Sequence, residues 1–445
     1  MRCRKMKTFK IAVAGGGSTY TPGIAKALML KKEEFPVSEI RLYDINEERQ
    51  RKVALITEKV VTEFDPNVKI TATTDPQTAF EDVDFIFAQL RVGGNIMREQ
   101  DEKIPFSHGI VGQETCGPGG MAYGLRTIAP MIELCDFAAE YAPQAWIINY
   151  SNPAAIVAEA IRKERPNARI LNICDMPIGM MLRMAEILGA EKDEIEVDYF
   201  GLNHFGWFTD VYVKGESRMN ELRDYMSVHG LVTPEQSKDL QHSDVDWIKA
   251  HTNVAKMLQL FPEYLPSSYL QYYLIPQTVV EQTNPEYTRA NRVMDNRERN
   301  LFDSIQHLEE TGEFKEGFNV GVHGTFIVDV AMSLAFDKRE RFLLIVENNG
   351  AIANLPDDAM VEIPAYVTSR GPEPVRLKSI GWFYKGLMEQ QLASEKLLVE
   401  AAFEGSYQKA LQAFTLNKTF PSAEVAKVVL DDLIKANRNY WPVLN

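Results

Sequence analysis

Cysteine is scarce in this chain of 445 residues, which holds only Cys3, Cys116, Cys135 and Cys174. Four scattered cysteines exclude a disulfide-stapled scaffold and point to a reducing compartment. Long apolar runs are also missing. No stretch reaches the ~18–20 residues needed to span a bilayer. The apolar segment near the N-terminus, Ile11–Ala14, is far shorter than a signal-peptide core of about 7–15 residues. A cytoplasmic protein with no membrane partner is expected, with Met1 and Met6 both open as the start. Positive charge is in deficit, with 48 Lys and Arg against 62 Asp and Glu, a net −14. Such a surface cannot displace counterions from nucleic acid, so no nucleic-acid partner is expected. Repeats, low-complexity tracts and long Gly/Ser linkers are absent too.

What is present is alternation. Phe9–Ala14 reads as a buried strand, interrupted by Gly15-Gly16-Gly17-Ser18, and a helix begins around Ile24–Leu30. Ile40–Tyr43, Ile70–Thr73, Asp84–Leu90, Ala145–Tyr150 and Ile170–Ile173 are further strand candidates. Glu47–Phe64 and Ala154–Arg162 have helical spacing between them. Strands separated by helix-length segments predict parallel βαβ units. Beyond about residue 195 the rhythm changes to two short strands, Val197–Gly201 and Phe208–Val213, then long polar helical stretches. The chain from Ile380 onward reads mostly as helix. The expected fold class is α/β: an N-terminal Rossmann-like doubly wound sheet over 1–195, and a C-terminal α+β domain over 196–445 for substrate, metal and oligomerisation, as in lactate or malate dehydrogenases.

The segment Lys10–Tyr20, KIAVAGGGSTY, runs a strand straight into glycines and then a helix. That arrangement turns backbone N–H groups and the positive end of a helix dipole toward a pyrophosphate. Gly15 and Gly17 match the first two glycines of G-x-G-x-x-G, while Tyr20 stands where the third would be. Asp44 closes the second strand, where a carboxylate can bind ribose hydroxyls and would repel a 2′-phosphate. NAD is therefore expected rather than NADP, with Gly15, Gly17, Ser18, Thr19 and Asp44 as candidate cofactor-binding residues. The competing reading is a glycine-rich turn with no ligand.

A second constellation follows. ILNICDMP at Ile170–Pro177 delivers Cys174 and Asp175 at a strand end, and YFGLNHFGW at Tyr199–Trp207 places His204 among aromatics. Cys and His can share a divalent cation while leaving positions open for substrate oxygens, and ligand softness by itself favours zinc or another thiophilic metal. Taken singly, Cys174 also reads as a small core residue and His204 as a hydrogen-bonded structural one.

GGGSTYTPG at Gly15–Gly23, VGQETCGPGG at Val111–Gly120, NYSNPA at Asn149–Ala154, NICDMP and GLNHFGW together resemble glycoside hydrolase family 4. The likeness continues through LPSSYLQYYL at Leu265–Leu274, TRAN at Thr288–Asn291 and VENNGAIANL at Val346–Leu355. It implies hydrolysis of α-glycosidic bonds in 6-phosphorylated α-glucosides of the maltose 6′-phosphate kind. The implied route is NAD-dependent oxidation at C3, deprotonation at C2, elimination, water addition and re-reduction, an exception to two-carboxylate hydrolysis. By this resemblance Cys174 and His204 are the metal ligands, usually for Mn²⁺ with other divalent ions open. Tyr269 is the base at C2, Glu114 raises its basicity, and Asp175 is the general acid. Asp in that position, after the metal cysteine, goes with α-specific members of the family. Arg98, Asn152 and Arg289 match substrate-contacting positions, with Arg289 the choice for the phosphate because its planar fork pairs with phosphate oxygens. His108 and His323 are read as structural. The implied partner is a phosphorylated disaccharide, and the implied assembly is a homodimer or homotetramer. Two alternatives stand beside this reading. One is an NAD-dependent 2-hydroxyacid dehydrogenase, which needs a His–Asp pair and an Arg, and no His stands in an obvious context for it. The other is a non-catalytic regulator, which should have lost Cys174, Asp175 or Tyr269.

Overall fold

The apolar run Phe9–Ala14 forms β1, the central strand of a parallel sheet. A computed structural model describes residues 7–233, 236, 245–313 and 320–445. Met1, Cys3 and Met6 lie outside the described residues. The next strands are β2 (Val37–Tyr43), β3 (Lys69–Thr73), β4 (Phe85–Ala88), β5 (Trp146–Asn149) and β6 (Ile170–Asn172). Their spatial order is 3-2-1-4-5-6 and every pairing is parallel. The order reverses between β1 and β4, and in such sheets the carboxyl ends there open a ligand crevice. The connecting helices are α1 (Thr21–Leu30), α2 (Glu47–Phe64), α3 (Pro76–Phe80), α4 (Gly94–Ser107), α5 (Gly117–Tyr141), α6 (Ala154–Glu164) and α7 (Met176–Leu188). The start of α2 follows from its cap, since the Asn46 side chain accepts the Arg49 N–H at 3.0 Å.

The second half does not build a separate sheet. β7 (Ile195–Leu202), β8 (Phe205–Val213), a short β9 (Glu216–Ser217), β10 (Leu265–Pro266), β11 (Glu340–Glu347), β12 (Met360–Thr368) and β13 (Gly371–Pro374) extend the first one. β11 joins the parallel part antiparallel to β6, with Ile345 opposite Asn172, and β12, β7, β8 and β10 follow in that order. One hydrophobic cluster accordingly runs from Phe9 and Ile11 through Trp207 to Leu344, Val361 and Tyr384. The expectation of two short strands followed only by polar helices is corrected here. ERFLLIVE and MVEIPAYVT form the eight-residue pairing of β11 with β12 and graft the second half onto the first. The C-terminal stretch is helical as expected, over Trp382–Glu404, Tyr407–Leu416 and Ala423–Asn437.

A buried polar knot ties these last helices to the ones that flank the crevice. Arg126 on α5 grips Asp101 on α4 through both guanidinium nitrogens, and its Nη1 donates to Asn437 Oδ1 at 2.6 Å. Trp441 Nε1 donates to the Ala122 carbonyl at 3.0 Å. Both ions are out of water, so removing one strands the other. Arg126→Met should cost about 3–5 kcal/mol and lower the thermal midpoint by several degrees. A midpoint within about 1 °C of the parent's would show that the pair carries no net stabilisation.

Candidate active site

The glycine turn closes the gap between β1 and β2. Gly15 has φ +83°, and a Cβ there would lie 2.6 Å from the Gln89 carbonyl oxygen. The Gly15 and Gly16 amides both donate to the Tyr43 carbonyl, at 2.9 and 2.8 Å. The Gly17 amide donates to Asp44 Oδ2 at 2.9 Å, and Arg49 Nε donates back to the Gly17 carbonyl at 2.8 Å. Asp44 is thus fixed at the lip of the turn, where the ribose of a dinucleotide arrives. Tyr20, in the place of the third glycine, caps α1 from outside the helix, so its side chain has room. The cradle fits NAD, which Gly15, Gly17, Ser18, Thr19 and Asp44 would hold.

The Cys/His pair is created by a tight hairpin. β7 and β8 are joined by just Asn203 and His204, with His204 at φ +63°, a conformation that costs a non-glycine residue energy. Gly201 and Gly206 face each other across the hairpin, and a Cβ on Gly201 would collide with Gly206. The spacing GLNHFG therefore follows from backbone contact. The turn pushes His204 inward until its Nε2 is 3.3 Å from Cys174 Sγ, at the end of β6, with both residues buried. A shared zinc-sized ion with bonds of about 2.3 Å to sulfur and about 2.0–2.1 Å to nitrogen sets those donors roughly 3.1–3.6 Å apart. The pair fits a divalent metal. Burial lowers the His204 pKa to about 4, so the imidazole is neutral and has a lone pair to give, and a hydrogen bond to the Thr115 backbone orients it. Burial pushes the Cys174 thiol well above its usual range. No third His, Cys, Asp or Glu gathers with them among the described residues, so the remaining coordination falls to other oxygens. The buried Asn203 Oδ1 beside them lacks a hydrogen-bond partner among the described residues.

Tyr269 lies on the other side of His204, with ring centroids 4.7 Å apart, and it stacks on Trp247 at 5.6 Å. Burial raises its phenol well above the usual range, Tyr272 and Glu114 add to this, and Arg289 opposes it. Burial also works against the Glu114 carboxylate, but Arg91, Arg98 and Arg289 outweigh it and bring its pKa down to about 2. Its oxygens lie 2.7 Å from Arg91 and 3.1 Å from Arg98. Arg98 is itself buried and bound to Glu102 at 2.8 Å. Arg289 opens a short helix after the Thr288 cap, 3.6 Å from Asp246, with its guanidinium 5.6 Å from the Trp247 ring. Asn152, half-buried between the buried Ser151 and Pro153, follows β5, and its bond to Pro153 is cis.

Asp175 caps the N-terminus of α7 and is met by a residue read from the sequence as structural. His323 Nδ1 lies 3.4 Å from Asp175 Oδ2. His108 Nε2 by contrast lies 2.9 Å from Asp432 Oδ2, on the C-terminal helix Ala423–Asn437. Arg91 and Glu362 are two further omissions. Arg91 stands just past the carboxyl end of β4, the switch point itself, and that position is a usable signal. Glu362 is a lone acid in the apolar run MVEIPAYVT, and it accepts from Asn203 Nδ2 at 3.1 Å and from the Tyr199 hydroxyl at 2.9 Å. Burial lifts its pKa to about 7 despite those two bonds. It anchors the Asn203-His204 turn from behind.

Comparison with known proteins covers nearly the whole chain. The family 4 glycosyl hydrolase model matches residues 10–190, and the model of the family's C-terminal domain matches residues 199–420. A maltose-6′-phosphate glucosidase of Fusobacterium mortiferum is 51% identical over 443 residues, 99% of this chain and 100% of its own length. A crystal structure of a 6-phospho-α-glucosidase from gut microorganisms, in complex with NAD and glucose-6-phosphate, superposes with TM-score 0.95 at 52% identity, covering 99% of this chain and 100% of its own. A second gut 6-phospho-α-glucosidase, with NAD and Mn²⁺, superposes with TM-score 0.94 at 43% identity, over 99% and 100% of the two chains. A lactate dehydrogenase of Eimeria maxima shares the fold at TM-score 0.54 and 16% identity, covering 90% of this chain and 97% of its own.

The pair makes a quantitative demand on metal binding. A neutral imidazole loses no proton on binding an ion, whereas a thiol pushed above its usual range must lose one. Mn²⁺ affinity should therefore rise about tenfold per pH unit between roughly pH 6 and 8, with one proton released per ion. Calorimetry in buffers of different ionisation heat reads that number directly. Zero protons would remove Cys174 as a ligand, and two would mean His204 starts charged.

Proposed function

The chain belongs to family 4 of the glycosyl hydrolases, and from that membership we propose how its residues divide the work. It is an NAD- and divalent-metal-dependent glycosidase acting on 6-phosphorylated α-glucosides of the maltose 6′-phosphate type, with Mn²⁺ the metal found in a close relative. The observation that carries the reading is the buried sulfur–imidazole contact of 3.3 Å with the Tyr269 ring 4.7 Å from the same imidazole. A dehydrogenase of 2-hydroxyacids has no use for that contact. The structure does supply a His–Asp pair, His323 with Asp175, but the relatives that match over 99% of the chain are glucosidases. The dehydrogenase resemblance is one of fold.

Bound NAD would take up and return a hydride at C3 of the sugar, and the cation would act on its hydroxyls as a Lewis acid. Arg289 holds the 6-phosphate at the mouth, close enough in charge to favour an ionised Tyr269. Tyr269 removes the C2 proton once C3 is a ketone. Asp175, at the end of β6 beside Cys174, gives a proton to the departing glycosidic oxygen and afterwards takes one from the incoming water. Glu114 holds Arg91 and Arg98 in place and keeps the phenol basic, while Asn152 and Arg98 position sugar hydroxyls. The division near residue 195 separates tasks rather than sheets, with residues 1–195 holding the cofactor and 196–445 bringing His204, Tyr269 and Arg289 to it. The three free cysteines among the described residues, Cys116, Cys135 and Cys174, suit a reducing cytoplasm.

A chromogenic phenyl α-glucoside 6-phosphate, with Mn²⁺, NAD⁺ and reductant, should be cleaved without net NADH. With maltose 6′-phosphate as substrate, Tyr269→Phe and Asp175→Asn should each lose about 10²–10⁴-fold in kcat. Undiminished release from protein stripped of NAD and chelated would overturn the reading. For the assembly, a homodimer or homotetramer is proposed, seated on the exposed aromatic pair Trp382 and Phe383 at the start of the helix Trp382–Glu404, where the Phe261 ring packs 4.8 Å from Phe383. Trp382→Glu should then reduce the mass measured by light scattering, and an unchanged mass would place the contact elsewhere.

A further inference from the structure

His323 belongs to a column of planar groups. Its ring stacks on Tyr150 with centroids 3.7 Å apart and an angle of 22°, and on Tyr20 at 4.5 Å and 16°. Arg297 lies over Tyr20 at 4.4 Å and donates to its hydroxyl. Tyr150 ends β5 and Tyr20 belongs to the glycine turn, so the imidazole is held between two parts of the rigid scaffold. Its Nε2 is buried with no hydrogen-bond partner among the described residues, whereas Nδ1 faces Asp175 Oδ2 at 3.4 Å. With Nε2 unpartnered and Nδ1 facing a carboxyl oxygen, the geometry places an N–H on Nδ1.

We infer that His323 is a positioning residue for the aglycone-leaving step: its Nδ1–H holds Asp175 Oδ2, fixing the carboxyl rotamer so that Oδ1 carries the transferable proton to the glycosidic oxygen. This rests on Asp175 being the general acid. In that step the C2–H electrons, left when the proton goes to Tyr269, form the C1–C2 double bond. The C1–O bond breaks with its electron pair on oxygen, and that oxygen takes the proton from Asp175. The carboxylate left behind keeps a hydrogen bond from Nδ1, so the charge appearing on Asp175 is met by a donor already in place. When water adds in the reverse sense, the same bond holds the carboxylate as base.

The test separates deprotonation from departure. In deuterated solvent, substrate that loses its C2 proton but fails to expel the aglycone returns with deuterium at C2. The ratio of deuterium in recovered substrate to cleavage is read for maltose 6′-phosphate and for p-nitrophenyl α-glucoside 6-phosphate, whose aglycone leaves without protonation. His323→Phe keeps a planar ring in the stack and deletes Nδ1, and His323→Asn restores a donor near it. His323→Phe should raise the ratio about tenfold or more for maltose 6′-phosphate and barely for the nitrophenyl compound, with His323→Asn reversing much of it. A merely structural role would slow both substrates alike and leave both ratios unchanged, and that result overturns the inference. Asp175→Asn is the control. If it raises the ratio and His323→Phe does not, only the role of His323 falls. If Asp175→Asn leaves the ratio unchanged, the assignment of Asp175 falls and takes this inference with it.

Discussion

A thiol sulfur and an imidazole nitrogen brought to 3.3 Å, both out of water, form the constraint on which the rest of the site depends. Neither partner is comfortable there. Burial disfavours the thiolate and the imidazolium alike, and His204 also sits in a left-handed backbone conformation. Such an arrangement persists only where its surroundings over-determine it. Here they do so through a two-residue turn, two facing glycines that allow the strands to close, and Glu362, which fixes Asn203 from inside the sheet. A divalent cation bound between them would relieve the remaining conflict, because it would stabilise the thiolate and needs the neutral imidazole.

This explains why the sheet is continuous. Cys174 ends a parallel strand of the dinucleotide-binding half, and His204 comes from an antiparallel hairpin that belongs to the other half. Two domains joined by a hinge would hold that contact loosely. β11 and β12 lie between β6 and β7 in the sheet order, so the hydrogen-bonded ladder itself sets the distance between Cys174 and His204. The same frame brings Tyr269 in on the 3₁₀ turn Ser268–Leu270, just past β10, whose Leu265 and Pro266 pair with Phe208 and Trp207 of β8. The site is therefore distributed along the chain but rigidly connected across a few neighbouring strands.

How far this was legible in the sequence depended on whether a residue's role was local. The glycine turn, Asp44 and α2 are local matters of backbone approach and capping, and their bounds read off closely. Cys174 and His204 were visible as strand-end residues, though nothing in their spacing says that they meet. β11 and β12 went unread because their identity as central strands comes from pairing with β6 and β7, far away in sequence, and an apolar run of eight carries no mark of its partner. His323 was invisible for the same reason, since GVHGTF contains no signal and its neighbours Tyr20, Tyr150 and Asp175 come from three earlier segments. Glu362 did leave a trace, a single acid in an otherwise apolar strand, which in a buried strand implies a dedicated set of donors.

The electrostatics around Tyr269 bear on how such a site avoids wasteful chemistry. A phenol that burial holds well above its usual range is a poor base in the empty site. Glu114 is too strongly paired with Arg91 and Arg98 to accept a proton in its place. The group in range that favours the phenolate is Arg289, the residue assigned to the phosphate. Arg289 shares Asp246 with Arg292 and lies over Trp247, the ring on which Tyr269 stacks, so phosphate recognition and the base share one packed unit. The balance of charge around the base is then set by what occupies the mouth. A sugar lacking the phosphate would leave Arg289 to Asp246 and Trp247, and a phosphate paired with it would offset the charge that favours the phenolate. Under the proposed assignment, occupancy of Arg289 thus bears on the basicity of Tyr269 as well as on affinity.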